Sequence, residues 1–178
     1  MQVDWSKNFF ELFGLPAQFD LDPSDLLTRY RELQRRVHPD KFASASAEER
    51  RLSMQLTTLV NEGYQTLRDP VRRARYLLDL SGVAMNDETD TSMKPEFLVE
   101  QMELREALEE ACAREDSLRR LAELANDIEH RHAAKLEELR DCFSRGQGAL
   151  GAARNAVREL QFLGKLLQEI REQEEELT

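Results

Sequence analysis

An imidazole and a carboxylate stand two residues apart in His38-Pro39-Asp40. Such a pair could relay a proton. The catalytic reading fails, because no nucleophile, metal cluster or glycine-rich phosphate loop accompanies it. Pro39 fixes a turn between the two side chains, so they are displayed outward rather than lining a pocket. A basic run surrounds them: Arg29, Arg31, Arg35 and Arg36 before, Lys41 after. The other histidines, His130 and His132, lie about 200° apart on a helix pattern and cannot share a ligand face. Cys112 and Cys142 have no CxxC neighbour, so they read as two reduced thiols rather than a zinc site or a disulfide framework. These residue types fit recognition better than bond-making: no catalytic residue, metal or cofactor is expected.

Those side chains need helices to hold them. Asn8 to Leu12 and Phe13 form a short apolar helix stopped by Gly14 and Pro16. Asp22-Pro23 starts a second, with a capping acid and a proline where its missing N–H costs nothing. Leu26, Tyr30, Leu33 and Val37 mark its buried stripe. It must end near Val37, because the residue before a proline is pushed out of the α region. After the loop 40–46 comes a third helix, with a stripe of Leu52, Leu56, Leu59, Val60, Gly63, Tyr64 and Leu67. The two stripes match, so the helices pack as an antiparallel hairpin with His38-Pro39-Asp40 at its tip. Asp69-Pro70 opens a short fourth helix that carries Arg72, Arg73, Ala74, Arg75, Leu77 and Leu78, and Gly82 ends it.

Residues 82–94 are polar and without periodicity, and read as a linker. Beyond lie three longer helix patterns at about 95–113, 116–144 and 147–175, each spacing its apolar residues for a helix. The second has Leu118, Leu121, Ala125, Ile128, Leu139 and Phe143 on its stripe. The third has Leu150, Ala153, Val157, Leu160, Leu163, Leu167 and Ile170. Short breaks near Asp116 and Gly146 imply antiparallel neighbours and a three-helix bundle. The acidic tail 172–176 reads as a frayed end. The expected fold is all-α: an N-terminal unit at 1–81, a linker at 82–94 and a bundle at 95–178.

Charge divides along the same line. Residues 1–81 carry 12 Lys/Arg and 12 Asp/Glu, whereas residues 82–178 carry 13 and 23. The chain's net charge of −10 therefore resides in the second half. That argues against nucleic acid and suits a basic protein partner. Mean hydropathy is −0.64, and no run approaches the roughly 20 apolar residues of a membrane span. The start Met1-Gln2-Val3-Asp4-Trp5 shows no secretory signal, so a soluble, cytoplasmic chain is expected.

The run from Tyr30 to Phe42, which ends in Val37-His38-Pro39-Asp40-Lys41-Phe42, resembles the second helix and loop of a J-domain. The run from Asn61 to Tyr76 resembles the end of its third helix and its fourth. The resemblance implies that His38, Pro39 and Asp40 stimulate ATP hydrolysis by a DnaK-type chaperone. It implies that Arg29, Arg31, Arg35, Arg36 and Lys41 help to dock on that chaperone's acidic face. Glu32 stands where many general J-domains have another base, which favours a dedicated chaperone.

The bundle narrows the resemblance. No Gly/Phe-rich linker and no repeated CxxCxGxG motif follow the J-domain. The run Phe97 to Glu110 resembles the first C-terminal helix of the HscB family, J-proteins of iron–sulfur cluster assembly, of the bacterial type. The run Val157 to Leu166 resembles the last helix. On pattern alone, Phe97, Leu104, Leu108 and Ala111 face the bundle, whereas Leu98 and Met102 stand off it. Val99, Glu103, Glu106 and Glu110 form an adjoining strip, and Phe162 is displaced from its own helix's stripe. A wider core stripe would explain the same pattern. The resemblance assigns Leu98, Val99, Met102, Glu103, Glu106, Glu110 and Phe162 to binding an IscU-type scaffold protein, presented to an HscA-type ATPase. Two other readings are a J-protein for a different client and a purely structural helical adaptor.

Overall fold

The computed structural model describes residues 7–85 and 95–177. Its elements are seven α-helices among those residues: α1 Phe9–Phe13, α2 Pro23–Val37, α3 Ala47–Arg68, α4 Pro70–Leu80, α5 Pro95–Cys112, α6 Ser117–Ser144 and α7 Leu150–Glu176. Packing divides the chain into Met1–Leu77 and Leu78–Thr178. Composition places the end of the first unit at residue 81, just before Gly82 with its φ of 75°; packing places it at Leu77, about one turn earlier. Residues 86–94 of the expected linker lie outside the described residues.

In the first unit each helix end follows from a local rule. Asn8 and Glu11 form a reciprocal capping box on α1, and Gly14 ends it at φ 65°. The Asp22 carboxylate accepts the Ser24 N–H at 2.8 Å, with Pro23 in the first position of α2. Val37 is the last residue of α2, and His38 is already extended at ψ 129°, as a residue before proline must be. Ser46 and Glu49 form a second capping box at the start of α3. The segment expected as an open loop begins with one tight 3-10 turn, Pro39–Phe42.

The core of this unit is a three-way meeting of α1, α2 and α3. Phe10, Leu26, Val60 and Leu67 are fully enclosed. Gly63 on α3 is the point of closest approach. A Cβ there would lie 2.9 Å from Phe13 Cε2 and 3.0 Å from Phe9 Cδ1. Tyr30 of α2 stacks on Tyr64 of α3 with ring centroids 4.0 Å apart. Gln34 and the Tyr30 hydroxyl both donate to Asn61 Oδ1 at 3.0 Å. At the hairpin tip, the Ser53 and Thr57 hydroxyls donate to the Val37 carbonyl, at 2.6 and 3.3 Å. Arg73, expected as one of three bases on α4, is buried: it donates to the Leu67 carbonyl at 2.6 Å and lies over the Phe19 ring.

The second unit is the expected bundle, with a core of Leu104, Ala111, Leu121, Ile128, Leu163, Leu166 and Ile170. Three expectations need correction. Leu118 was placed on the α6 stripe but is 46% exposed, whereas Cys142, not placed there, is buried. The two lie about 60° to either side of the Leu121–Leu139 line, so the buried face drifts around this 28-residue helix. On α7, Leu166 rather than Leu167 is fully buried. The acidic tail is not frayed: α7 runs to Glu176, with Gln168 donating to Glu172 at 2.9 Å. Between α6 and α7, Lys135 bridges Glu138 at 2.7 Å and Glu159 at 2.5 Å.

Two substitutions measure these constraints. Gly63→Ala should lower thermal stability by about 1–3 kcal/mol, since the new methyl collides with two phenyl rings; differential scanning calorimetry reads it. Ser53→Ala leaves the last α2 carbonyl short of its strongest donor and should cost about 1–2 kcal/mol. Helical content by circular dichroism should stay unchanged in the folded Ser53→Ala protein.

Candidate functional site

The hairpin tip of the first unit carries the basic constellation. Arg31, Gln34, Arg35, His38 and Lys41 line one open groove of about 440 Å³. Helical spacing puts Arg31, Gln34, Arg35 and His38 on one edge of α2, and the 3-10 turn swings Lys41 round to meet them. His38 Nδ1 accepts the Asp40 backbone N–H at 3.3 Å. An Asp40 carboxylate oxygen lies 3.5 Å from the same nitrogen, with side chains 56% and 91% exposed. In the neutral imidazole an accepting Nδ1 leaves the proton on Nε2, pointing away from this turn. The pair therefore presents one outward donor and one outward carboxylate, held by a proline between them.

Not every expected base joins this groove. Arg36 is exposed but does not line it. Arg29 is engaged elsewhere: it donates to the Phe13 and Gly14 carbonyls at 3.0 and 2.8 Å and pairs with Asp25 at 3.0 Å. It closes the C-terminal end of α1 onto α2, a packing role that its position in a basic run did not reveal. Gln34 is the groove residue that sequence reasoning missed; its position one turn before His38 was the available signal.

The second surface lies on α5. Leu98, Val99 and Met102 are 46%, 54% and 64% exposed, and Glu103, Glu106 and Glu110 are exposed beside them. Phe97, Leu104 and Ala111 are buried on the opposite side, as their spacing predicts. Phe162 departs from expectation. It does not stand off the core but is half-buried against it, edge-on to Phe97 at 5.8 Å. The α5–α7 seam thus encloses Phe162 only in part.

Two charged residues that sequence reasoning passed over organise this face. Arg105 is the single base in α5. Its guanidinium lies 5.8 Å from the Phe162 ring centroid and 3.5 Å from the Glu169 carboxylate. At the start of α5, Glu100 pairs with Arg131 of α6 at 2.6 Å, and Asp127 supports the same guanidinium at 2.9 Å. The Glu100 hydrogen bond, more than the Asp127 one, holds Arg131 above the ordinary guanidinium range. This pair ties the start of the helix that carries Leu98, Val99 and Met102 to α6.

Among the described residues, no group of three or more His, Cys, Asp or Glu could hold a metal ion. His130 Nδ1 is taken up by the Asn126 carbonyl at 2.8 Å, and both cysteines are free thiols. No helix among the described residues is long and apolar enough to cross a membrane.

Comparison with known proteins identifies relatives along almost the whole chain. Residues 93–171 match the family described as the HSCB C-terminal oligomerisation domain. The chain is 46% identical over 173 residues to the co-chaperone protein HscB homolog of Shewanella amazonensis, covering 96% of this chain and 98% of that one. The homolog of Paraburkholderia xenovorans is also 46% identical, with 97% of each chain covered. Among solved structures, chaperone HscB from Vibrio cholerae superposes with a TM-score of 0.86 at 41% identity, over 97% of this chain and 100% of that one. Human co-chaperone HscB gives 0.87 at 29% identity, over 95% and 83%. With a J-domain hairpin, an acidic bundle and relatives similar along almost their whole length, the chain belongs to the HscB family of J-domain co-chaperones.

Proposed function

We propose that this chain delivers an IscU-type iron–sulfur scaffold protein to a DnaK-like ATPase of the HscA type and stimulates that partner's ATP hydrolysis. The observation that carries the proposal is the pairing, in one chain, of the basic groove at His38 and Lys41 with the exposed Leu98–Val99–Met102 face. The unit through residue 81 docks the ATPase, residues 82–94 link, and the bundle from residue 95 holds the cargo. His38 and Asp40 present a donor and a carboxylate on a turn stiffened by Pro39. Arg31, Arg35, Arg36 and Lys41 steer the encounter and give it salt dependence. On the bundle, Leu98, Val99, Met102 and the outer edge of Phe162 supply the apolar contact, and Glu103, Glu106 and Glu110 supply an acidic rim. Exposed apolar side chains rimmed by charge are the surface pattern of a protein interface. Hydrolysis takes place in the partner, so the chain acts as a cytoplasmic co-chaperone rather than an enzyme, without metal, nucleotide or cofactor of its own.

Two variants separate the two surfaces. His38→Gln should abolish ATPase stimulation in a steady-state phosphate-release assay while scaffold affinity stays at the wild-type value; full stimulation by this variant would remove the J-domain assignment. Changing Leu98, Met102 and Phe162 together to alanine should do the reverse. Loss of one buried anchor is worth about 2 kcal/mol, roughly 30-fold in Kd. Calorimetric titration with the scaffold should therefore show no measurable binding, while the cargo-free ATPase still responds.

A further inference from the structure

We propose that Gln34 is a specificity-determining residue of the basic groove: its side-chain carbonyl receives a neutral hydrogen-bond donor that the ATPase presents among carboxylates. This rests on the ATPase-docking reading above. Gln34 lines the groove with Arg31, Arg35, His38 and Lys41. It stands one helical turn from Arg31 on one side and from His38 on the other. Its amide is oriented from behind. Nε2 donates to the Tyr30 hydroxyl and, at 3.0 Å, to Asn61 Oδ1, and the Tyr30 hydroxyl donates to the same Asn61 oxygen. The Tyr30 ring is itself held by its stack on Tyr64. The nitrogen end of the amide is thus drawn inward to α3. Oε1 accepts no hydrogen bond among the described residues, yet it is not one of the buried atoms left without a partner, so it opens to solvent.

The charges around this oxygen narrow what it can receive. No described carboxylate lies within ion-pair distance of Arg31, Arg35 or Lys41. Arg35 Nε turns only to the Arg31 carbonyl, at 3.3 Å. These uncompensated cations attract carboxylates of the partner and repel its lysines and arginines. A carbonyl oxygen set among them therefore reads a neutral donor: a backbone N–H, or a hydroxyl or amide side chain. Charge matching alone would favour another base at this position, since that would strengthen attraction to an acidic surface. Glutamine instead makes the groove selective, because a surface without the donor leaves Oε1 desolvated and unpaired. The neutral His38 imidazole offers the complementary element, an N–H on Nε2, one turn further along. The ATPase surface that fits carries a neutral donor among carboxylates, roughly 6 Å along the helix axis from the group that meets His38.

The test titrates the full chain into purified HscA-type ATPase and follows steady-state phosphate release. The titration separates the half-stimulating concentration from the maximal rate, and calorimetric unfolding checks that each variant folds. Gln34→Lys keeps an inward donor for Tyr30 and Asn61 but removes the acceptor and adds a cation. Gln34→Met removes the whole amide at similar length. Tyr30→Phe weakens the supporting network and leaves the Gln34 amide in place. Each Gln34 variant should raise the half-stimulating concentration about five- to tenfold, as loss of one hydrogen bond with its partner left unpaired requires. Tyr30→Phe should shift that concentration less than about twofold while lowering the melting temperature. Docking by Gln34→Lys as tight as wild type, or tighter, would show that the groove reads charge alone and would overturn the proposal. Equal weakening by Tyr30→Phe and Gln34→Met would overturn it too, because the network would then act only through helix pairing. A lower maximal rate at an unchanged half-stimulating concentration would likewise remove Gln34 from docking. Full stimulation by His38→Gln would remove the J-domain reading and this proposal with it. If His38→Gln is inactive while the Gln34 variants dock like wild type, this proposal alone fails.

Discussion

A helix that runs into a proline must release its last carbonyls with no following N–H to receive them. At Val37 that obligation falls at the root of the exposed His38–Asp40 turn. The Ser53 and Thr57 hydroxyls, from the facing helix, satisfy the carbonyl. They thereby tie the end of α2 to α3 at the root of the His38–Asp40 turn. The stacked Tyr30–Tyr64 pair and the Asn61 network repeat the tie further along the hairpin. The exposed turn is therefore held by buried contacts behind it. Its ordering is settled during folding, which under the proposed function reduces the entropic cost of docking.

The bundle solves the opposite problem. It must keep large apolar side chains in water without letting them collapse into its own core. The Arg131–Glu100 pair ties the start of α5 to α6. Phe97, Leu104 and Ala111 occupy the inside face so fully that Leu98, Val99 and Met102 have no place there. The surrounding carboxylates keep the exposed patch hydrated and discourage self-association, at a modest cost in electrostatic self-repulsion.

What could be read from the sequence was what local chemistry decides. Asp22-Pro23, Val37 before His38-Pro39, Asp69-Pro70 and Gly82 each mark a helix end within a few residues, and the structure places ends there. For Leu98 and Met102 spacing left two readings, a patch off the core or a wider core stripe, and their exposure in the folded helix decides for the first. The misses have longer reach. Arg29 caps carbonyls 15 and 16 residues away, so no window on α2 alone distinguishes it from Arg31. Leu118 and Cys142 exchange places because a small drift per turn accumulates along α6. Phe162 depends on where the seam with α5 falls, which is a property of packing and not of α7.

The half-buried Phe162 has a consequence for energetics. Its ring packs against the bundle core and edge-on to Phe97, so under the proposed function folding and recognition share a side chain. Any ligand that grips the outer edge also opposes its withdrawal from the core. By thermodynamic linkage, cargo then acts as a stabiliser of the bundle, and a loosened bundle is a weaker receptor. Under the proposed function the affinity of this face is thus set partly by buried residues such as Phe97 and Leu163.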